Sequence, residues 1–429
     1  MTRSVIRNKR KRRGSKRRGS KRRSSKRGIQ KKIIRDGTAP DDDKVVIRFF
    51  EKLMITPEFI VDTPISTETK AVFKEFFDAF NRTDVKINEN DIVMNQYSTT
   101  DKNINYIDKG IREYIQKNMV KTYTYDTYID RPVKISILFL QEEEKGNVAR
   151  YIKMMVSWLK VVSSYAQEPC TQKLNITIFL TDLKKVLLGT KCSSHSSCII
   201  GRKQVNTGYS TRCDEIVIFR EEEWFKVFVH ETIHNLALDF YVEYDPNVET
   251  KVKTFFGMKR PFEMKLFEAY TEAWARILNC LQLSYDEEKT NFERFVVIAD
   301  RNILLERLNG FFQTNKILKY QHLDIDNLSK YIEEPANFSY YLLVAILYSD
   351  YQDFFKWCRE NNTNILQFDN TKSSNKQNGF VDFIISKAEK DSTFRKNYNL
   401  FQKKFFQKDE EDYLYRYMKK SILTRSLVV

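Results

Sequence analysis

The 429-residue chain is 41% hydrophobic and 14% aromatic, enough to build a sizeable buried core and to exclude an intrinsically disordered protein. Its formal charge of +16 suggests a polyanion binder, yet residues 1–32 hold 17 Lys and Arg and no Asp or Glu. Removing those 17 leaves −1 for the rest, so the body offers no electrostatic reason to expect an acidic partner.

Residues 1–38 read as a basic, disordered tail, because the like charges of GSKRRGSKRRSSKR repel one another and almost nothing apolar is available to bury. Such a tail can neutralise the phosphates of DNA or RNA, be read by an import receptor, or act only as a solubilising arm. No apolar run of signal-peptide length follows it, and ISILFL and YYLLVAILY fall short of the roughly 20 residues that span a bilayer. The expectation is an intracellular protein, in cytoplasm or nucleus, that is not secreted and has no membrane partner.

Residues 39–130 read as a mainly helical region: TKAVFKEFFDAFNRT and INYIDKGIREYIQKNM have helical apolar spacing, while KTYTYDTYI alternates like a strand. Residues 131–285 change character. PVKISILFL reads as a buried strand, KGNVARYIKMMVSWLKVVSSYA as a long helix and LNITIFL as a second buried strand. Two short strands, QVNTGYST and DEIVIFR, come next. Helical periodicity then returns in EEEWFKVFVHETIHNLALDFYVE, whose acidic first turn complements the helix dipole, and again in FEMKLFEAYTEAWARILNCLQL at 262–283. Residues 286–429 read as a helical C-terminal domain with a polar loop, DNTKSSNKQNG, at 369–379. The six cysteines are too scattered for a disulfide framework. CSSHSSC, with Cys192, His195 and Cys198, lacks a nearby fourth zinc ligand and reads as a Ser-rich loop with reduced thiols.

Two of the four histidines fall in VHETIHNLAL. Residues four apart on an α-helix are about 40° apart around its axis, so His230 and His234 project from one face and can reach a single metal ion. Glu231 lies beside them, placed to act on a water at the metal. Phe225, Phe228, Val229, Ile233, Leu236 and Phe240 supply an apolar face to anchor the helix. With histidine this scarce, chance supplies H-E-x-x-H in about a few of every thousand such chains. An open zinc site needs a third protein ligand. The H-E-x-x-H-x-x-G-x-x-H pattern cannot provide it, because positions 237 and 240 are Ala and Phe. Two carboxylates remain, Glu268 and Glu272, four apart in FEAYTEAWARI.

HETIH followed by YTEAWA resembles the gluzincin metallopeptidases, whose third zinc ligand is a downstream glutamate on a second helix; YTEAWA is similar to the aminopeptidase motif aromatic-x-N-E-G-aromatic-A. The resemblance implies an α+β, zincin-like core of mixed sheet, active-site helix and glutamate helix. It implies one Zn2+ per chain held by His230, His234 and Glu272, with Glu231 as general base and Glu268 beside the ligands in support. It also implies that Asn206, Thr207, Gly208 and Tyr209 align an extended peptide or protein substrate by main-chain pairing. The linker of 37 residues between His234 and Glu272 is longer than in many members, and the G-x-M-E-N segment that captures a free amino terminus is absent, so exopeptidase action is not implied. The Lys/Arg/Ser tail on a Lys/Asn/Tyr/Phe-rich body is similar to predicted metallopeptidases of large DNA viruses, which would set the protein in a host cell or virion.

The expected function is therefore zinc-dependent peptide-bond hydrolysis, with Glu231 passing a proton from water to the departing amine. Tyr341, on a C-terminal helix, is the candidate donor to the oxyanion. The rival expectation is a catalytically inactive zincin fold that binds nucleic acid, or builds a virion, through the basic tail.

Overall fold

A computed structural model describes residues 41–54, 64–98, 104, 106–168, 170–187, 199–334, 336–371, 373–405 and 413–423. The basic tail and CSSHSSC lie outside the described residues. Six strands, β1 (Val93–Gln96), β2 (Lys121–Ile129), β3 (Arg131–Phe139), β4 (Leu174–Leu180), β5 (Gly208–Ser210) and β6 (Glu215–Ile218), form one mixed sheet in the order β1-β2-β3-β4-β6-β5. With helices around it the fold is α+β.

The alternating apolar pattern of the segment after residue 120 makes a hairpin of β2 and β3, turned by Asp130 alone at φ 56°. That hairpin crosses the expected boundary at 130/131, and β1, a strand not expected from the sequence, joins the same sheet. Thr38–Val429 form one compact unit. The near-continuous apolar runs of β3 and β4 fit their burial at the middle of the sheet. They pair in parallel across the crossover helix Lys145–Ser163, and β4 pairs in parallel with β6. The short β5 runs antiparallel to β6 as the outermost strand.

From β6 the chain enters the histidine helix, Trp224–Asn235, which carries the HETIH motif. Its expected apolar anchors are buried, Phe228 fully and Val229 and Ile233 nearly so. Two hydrogen bonds fix it against the sheet layer: Trp158 Nε1 of the crossover helix donates to Thr232 Oγ1 (2.8 Å), and Arg131 Nη2 of β3 donates to Asn235 Oδ1 (2.8 Å). The helix stops at Asn235 instead of running on to 243, because Ala237 at φ 51° reverses the chain and Leu238 N closes back on Ile233 O.

Two of the cysteines that read as too scattered for a disulfide framework are bonded as Cys170–Cys213. Their separation of 43 residues hides the reason: β4 pairs with β6 from Asn175↔Glu215 onward, which brings the segments preceding both strands to the same end of the sheet.

The second motif helix, the glutamate helix Leu266–Glu287, is entered through Lys265 at φ 55°. Glu249 sets that entry. Its carboxylate accepts from the backbone N–H of Met264 and Lys265 (both 2.9 Å), from Tyr244 Oη (2.5 Å) and from Lys253 Nζ (2.7 Å). Burial opposes its charge, but these donors win and hold its pKa below the usual carboxylate value. Replacing Glu249 with Ala is expected to cost about 2–3 kcal/mol in chemical denaturation at pH 7. Because the folded pKa is depressed, the contribution is complete above the ordinary value of 4.5 and fades as pH falls through the folded value. The gap between wild type and variant should therefore narrow on acidification below pH 4.5.

The C-terminal half is mostly helical, led by Phe292–Tyr320. A further helix, Ser373–Ala388, occupies most of the segment 369–379 read as a loop. The polar composition misleads there because buried Gln377 is satisfied from outside its helix: it donates to Glu243 O (2.7 Å) and accepts from Asp245 N (3.0 Å).

Candidate metal centre

The histidine and glutamate helices present two stripes of residues spaced by four, Lys226-His230-His234 and Glu268-Glu272-Arg276, which run antiparallel so that His234 meets Glu268 and Lys226 meets Glu272. At the open end three atoms converge. His230 Nε2 and His234 Nε2 are 3.1 Å apart, and Glu268 Oε2 lies 3.2 Å from each. A tetrahedral ion with bonds of about 2.0–2.1 Å holds its ligand atoms about 3.3–3.4 Å apart, so the three are set at nearly that separation.

The outer contacts give the imidazoles the polarity a metal needs. His234 Nδ1 lies 2.6 Å from Asp239 Oδ2, so its proton belongs on that side and Nε2 keeps a lone pair. Thr271 Oγ1 donates to the same Asp239 oxygen (3.0 Å) and fixes the carboxylate. His230 Nδ1 lies 3.0 Å from Glu272 Oε2, off the line of a well-aligned hydrogen bond. Two imidazole lone pairs and a carboxylate oxygen facing one another in a buried site repel unless a cation or a proton sits among them. Burial opposes charge on both partners, but Asp239 and Glu268 raise the His234 pKa well above its ordinary value, and His234 and His230 lower that of Glu268.

Glu272, expected as the third ligand, is not among the three converging atoms, whereas Glu268, expected in support, faces both histidines. Glu272 is fully buried one turn deeper, where its Oε1 accepts from Lys226 Nζ and Arg276 Nε (both 2.9 Å). Burial would raise its pKa; Lys226, Lys420 and Arg276 drive it well below the usual range. Spacing by four could not separate the two glutamates. The discriminating signal was the charge at either end, since Lys226 and Arg276 require the deeper carboxylate as counter-ion.

Glu231 lines the cleft beside this cluster, with Oε2 accepting from Ser210 Oγ at 2.8 Å. All four residues expected to align substrate, Asn206, Thr207, Gly208 and Tyr209, also line it. Only Gly208 and Tyr209 belong to β5, with Ser210; Asn206 and Thr207 precede the strand. A Cβ at Gly208 would come within 2.8 Å of Val217 O and 3.0 Å of Val227 Cγ1, so glycine is what lets β5 run this close to the histidine helix.

Tyr341 does not reach the cleft. It is buried and its hydroxyl donates to Met418 O (2.7 Å). Its neighbour Tyr340, in the same π-helical turn Phe338–Leu343, faces the site instead, with its ring centred 6.1 Å from that of His230. Burial, then the charges of Glu268, Glu231 and Glu272, push the Tyr340 pKa well above its ordinary value, so it remains a hydroxyl donor. Sequence reasoning also missed Asp239, the contact of Ser210 with Glu231, and Lys420, the last lining the cleft from the C-terminal segment. Only Asp239 had a usable signal, an acid shortly after the second histidine.

The chain matches no family model, no curated protein and no solved structure. The geometry therefore stands alone. Asp239→Asn is expected to weaken metal binding about 10–100-fold in a competitive chelator titration, because the amide no longer fixes the His234 tautomer.

Proposed function

We propose that the chain is a zinc-dependent peptidase, with a zincin-like core of the gluzincin kind the sequence resembles and with Glu268 as its third ligand. The observation that carries this reading is the convergence of His230 Nε2, His234 Nε2 and Glu268 Oε2 within 3.1–3.2 Å, beside a carboxylate that faces the cleft and is not part of the cluster. A bound Zn2+ would supply a Lewis acid for the scissile carbonyl and acidify water. Three protein ligands with a neighbouring base suit an open site better than a closed structural one.

The chain's own groups divide the remaining work. Glu231, steadied by Ser210, takes the proton of the attacking water and delivers it to the departing amine. Tyr340 is the hydroxyl best situated to donate to the developing oxyanion. The outer edge of β5 offers its backbone to an extended peptide. Among the described residues no helix is long and apolar enough to cross a membrane.

Hydrolysis of a fluorogenic peptide mixture should stop on chelation and return when stoichiometric zinc is added. Activity untouched by exhaustive chelation, with metal shown to be absent, would end this reading.

A further inference from the structure

Four lysines line the cleft, and three of them have carboxylate partners: Lys226 is paired with Glu272, Lys185 with Glu223 and Lys265 with Glu263. Lys420 is different. It is 6% exposed and borders the same space, yet among the described residues no carboxylate forms an ion pair with its ammonium, which rests 3.2 Å from the centre of the Tyr340 ring.

Its position is firmly held. Met418 N donates to Lys185 O (2.8 Å), Ser421 N to Glu223 Oε1 (2.5 Å), and Ile422 N and Leu423 N to Glu306 Oε1 (2.9 and 3.0 Å). Asn309 Nδ2 donates to the carbonyl of Lys420 itself (3.2 Å). A buried amine on a fixed backbone, bordering open space with no carboxylate at ion-pair distance among the described residues, is a site suited to an anion that arrives from outside. The contact of Lys420 with the Tyr340 ring, whose centre lies 6.1 Å from that of His230, sets it beside the converging atoms, where a group flanking the reacting carbonyl would lie.

We propose that Lys420 recognises a carboxylate of the substrate, so that the cleft selects peptides bearing an acidic side chain or a terminal carboxylate next to the bond that is cut. The inference deepens the peptidase reading and rests on it for the identity of the substrate. A peptide's own anions are these two carboxylates, and their shared chemistry is what an ammonium reads.

The test uses full-length protein, with and without zinc, and three probes titrated by calorimetry. N-acetylglutamate α-amide carries only the side-chain carboxylate, N-acetylglutamine only the terminal one, and N-acetylglutamine amide neither. Wild type should bind one acidic probe at least about tenfold more tightly than the neutral probe, and which one identifies the source of the carboxylate. Lys420→Met should reduce that preference below about threefold, and Lys420→Arg should retain most of it. Lys420→Gln serves if the Met variant does not keep the wild-type circular dichroism. Equal binding of all three probes to wild type, or a preference undiminished in a folded Lys420 variant, overturns the proposal. Because these titrations need no turnover, a protein that neither holds zinc nor cleaves peptides would sink the peptidase reading while the probes still decide the role of Lys420.

Discussion

Purified full-length protein is expected to hold about one zinc per chain by elemental analysis, to lose it in His230→Ala and Glu268→Ala, and to keep it in Glu272→Gln. The two glutamates make the sharper comparison because they differ by one helical turn and by everything around them. Glu268 Oε2 is 3.2 Å from both imidazole Nε2 atoms, whereas Glu272 spends its oxygens on Lys226, Arg276 and the back of His230. Glutamine at 272 keeps the shape but leaves two buried cations short of a counter-charge. The zinc affinity of Glu272→Gln should therefore fall by about 10–100-fold, with a loss of stability in addition. Zinc retained by folded Glu268→Ala and lost from Glu272→Gln would restore the assignment that the sequence resemblance implied.

Glu231→Gln should leave zinc content and folding unchanged and lower kcat by about 10²–10⁴-fold or more, with little effect on KM. Among the described residues Glu231 forms no hydrogen bond or ion pair with His230, His234 or Glu268, and its Oε2 accepts from Ser210 Oγ at 2.8 Å, so the amide would remove the base while leaving the three converging atoms in place. Single-turnover kinetics on a cleaved peptide would measure this directly. Activity within a few-fold of wild type would take the general base away from Glu231 and direct attention to Tyr340 and Lys420.

The parts legible in the sequence were those written by local periodicity. KTYTYDTYI is β2 from end to end, LNITIFL is β4, and the spacing of His230 and His234 put both imidazoles on one helical face. What escaped depends on partners far along the chain. Tyr340 and Tyr341 are neighbours of one type on one turn, and what separates them is distant in sequence: the Tyr341 hydroxyl donates to Met418 O, while the Tyr340 ring lies against His230. Cys170 and Cys213 meet through strand pairing that no spacing rule encodes. Asp239 reaches His234 only because the helix ends early at a left-handed Ala237, a conformation that an alanine does not announce.

The site is also ordered in time. The converging ligands lie between His230 and Glu268, but the wall that carries Lys420 comes from a segment held by Lys185, Glu223 and Glu306 and made about 150 residues later. At about 5–20 residues per second that interval is roughly 10–30 s of synthesis. A growing chain would thus expose the helix pair proposed to hold the metal before the lysine proposed to discriminate among ligands exists, so that selectivity would follow metal binding in the order of synthesis.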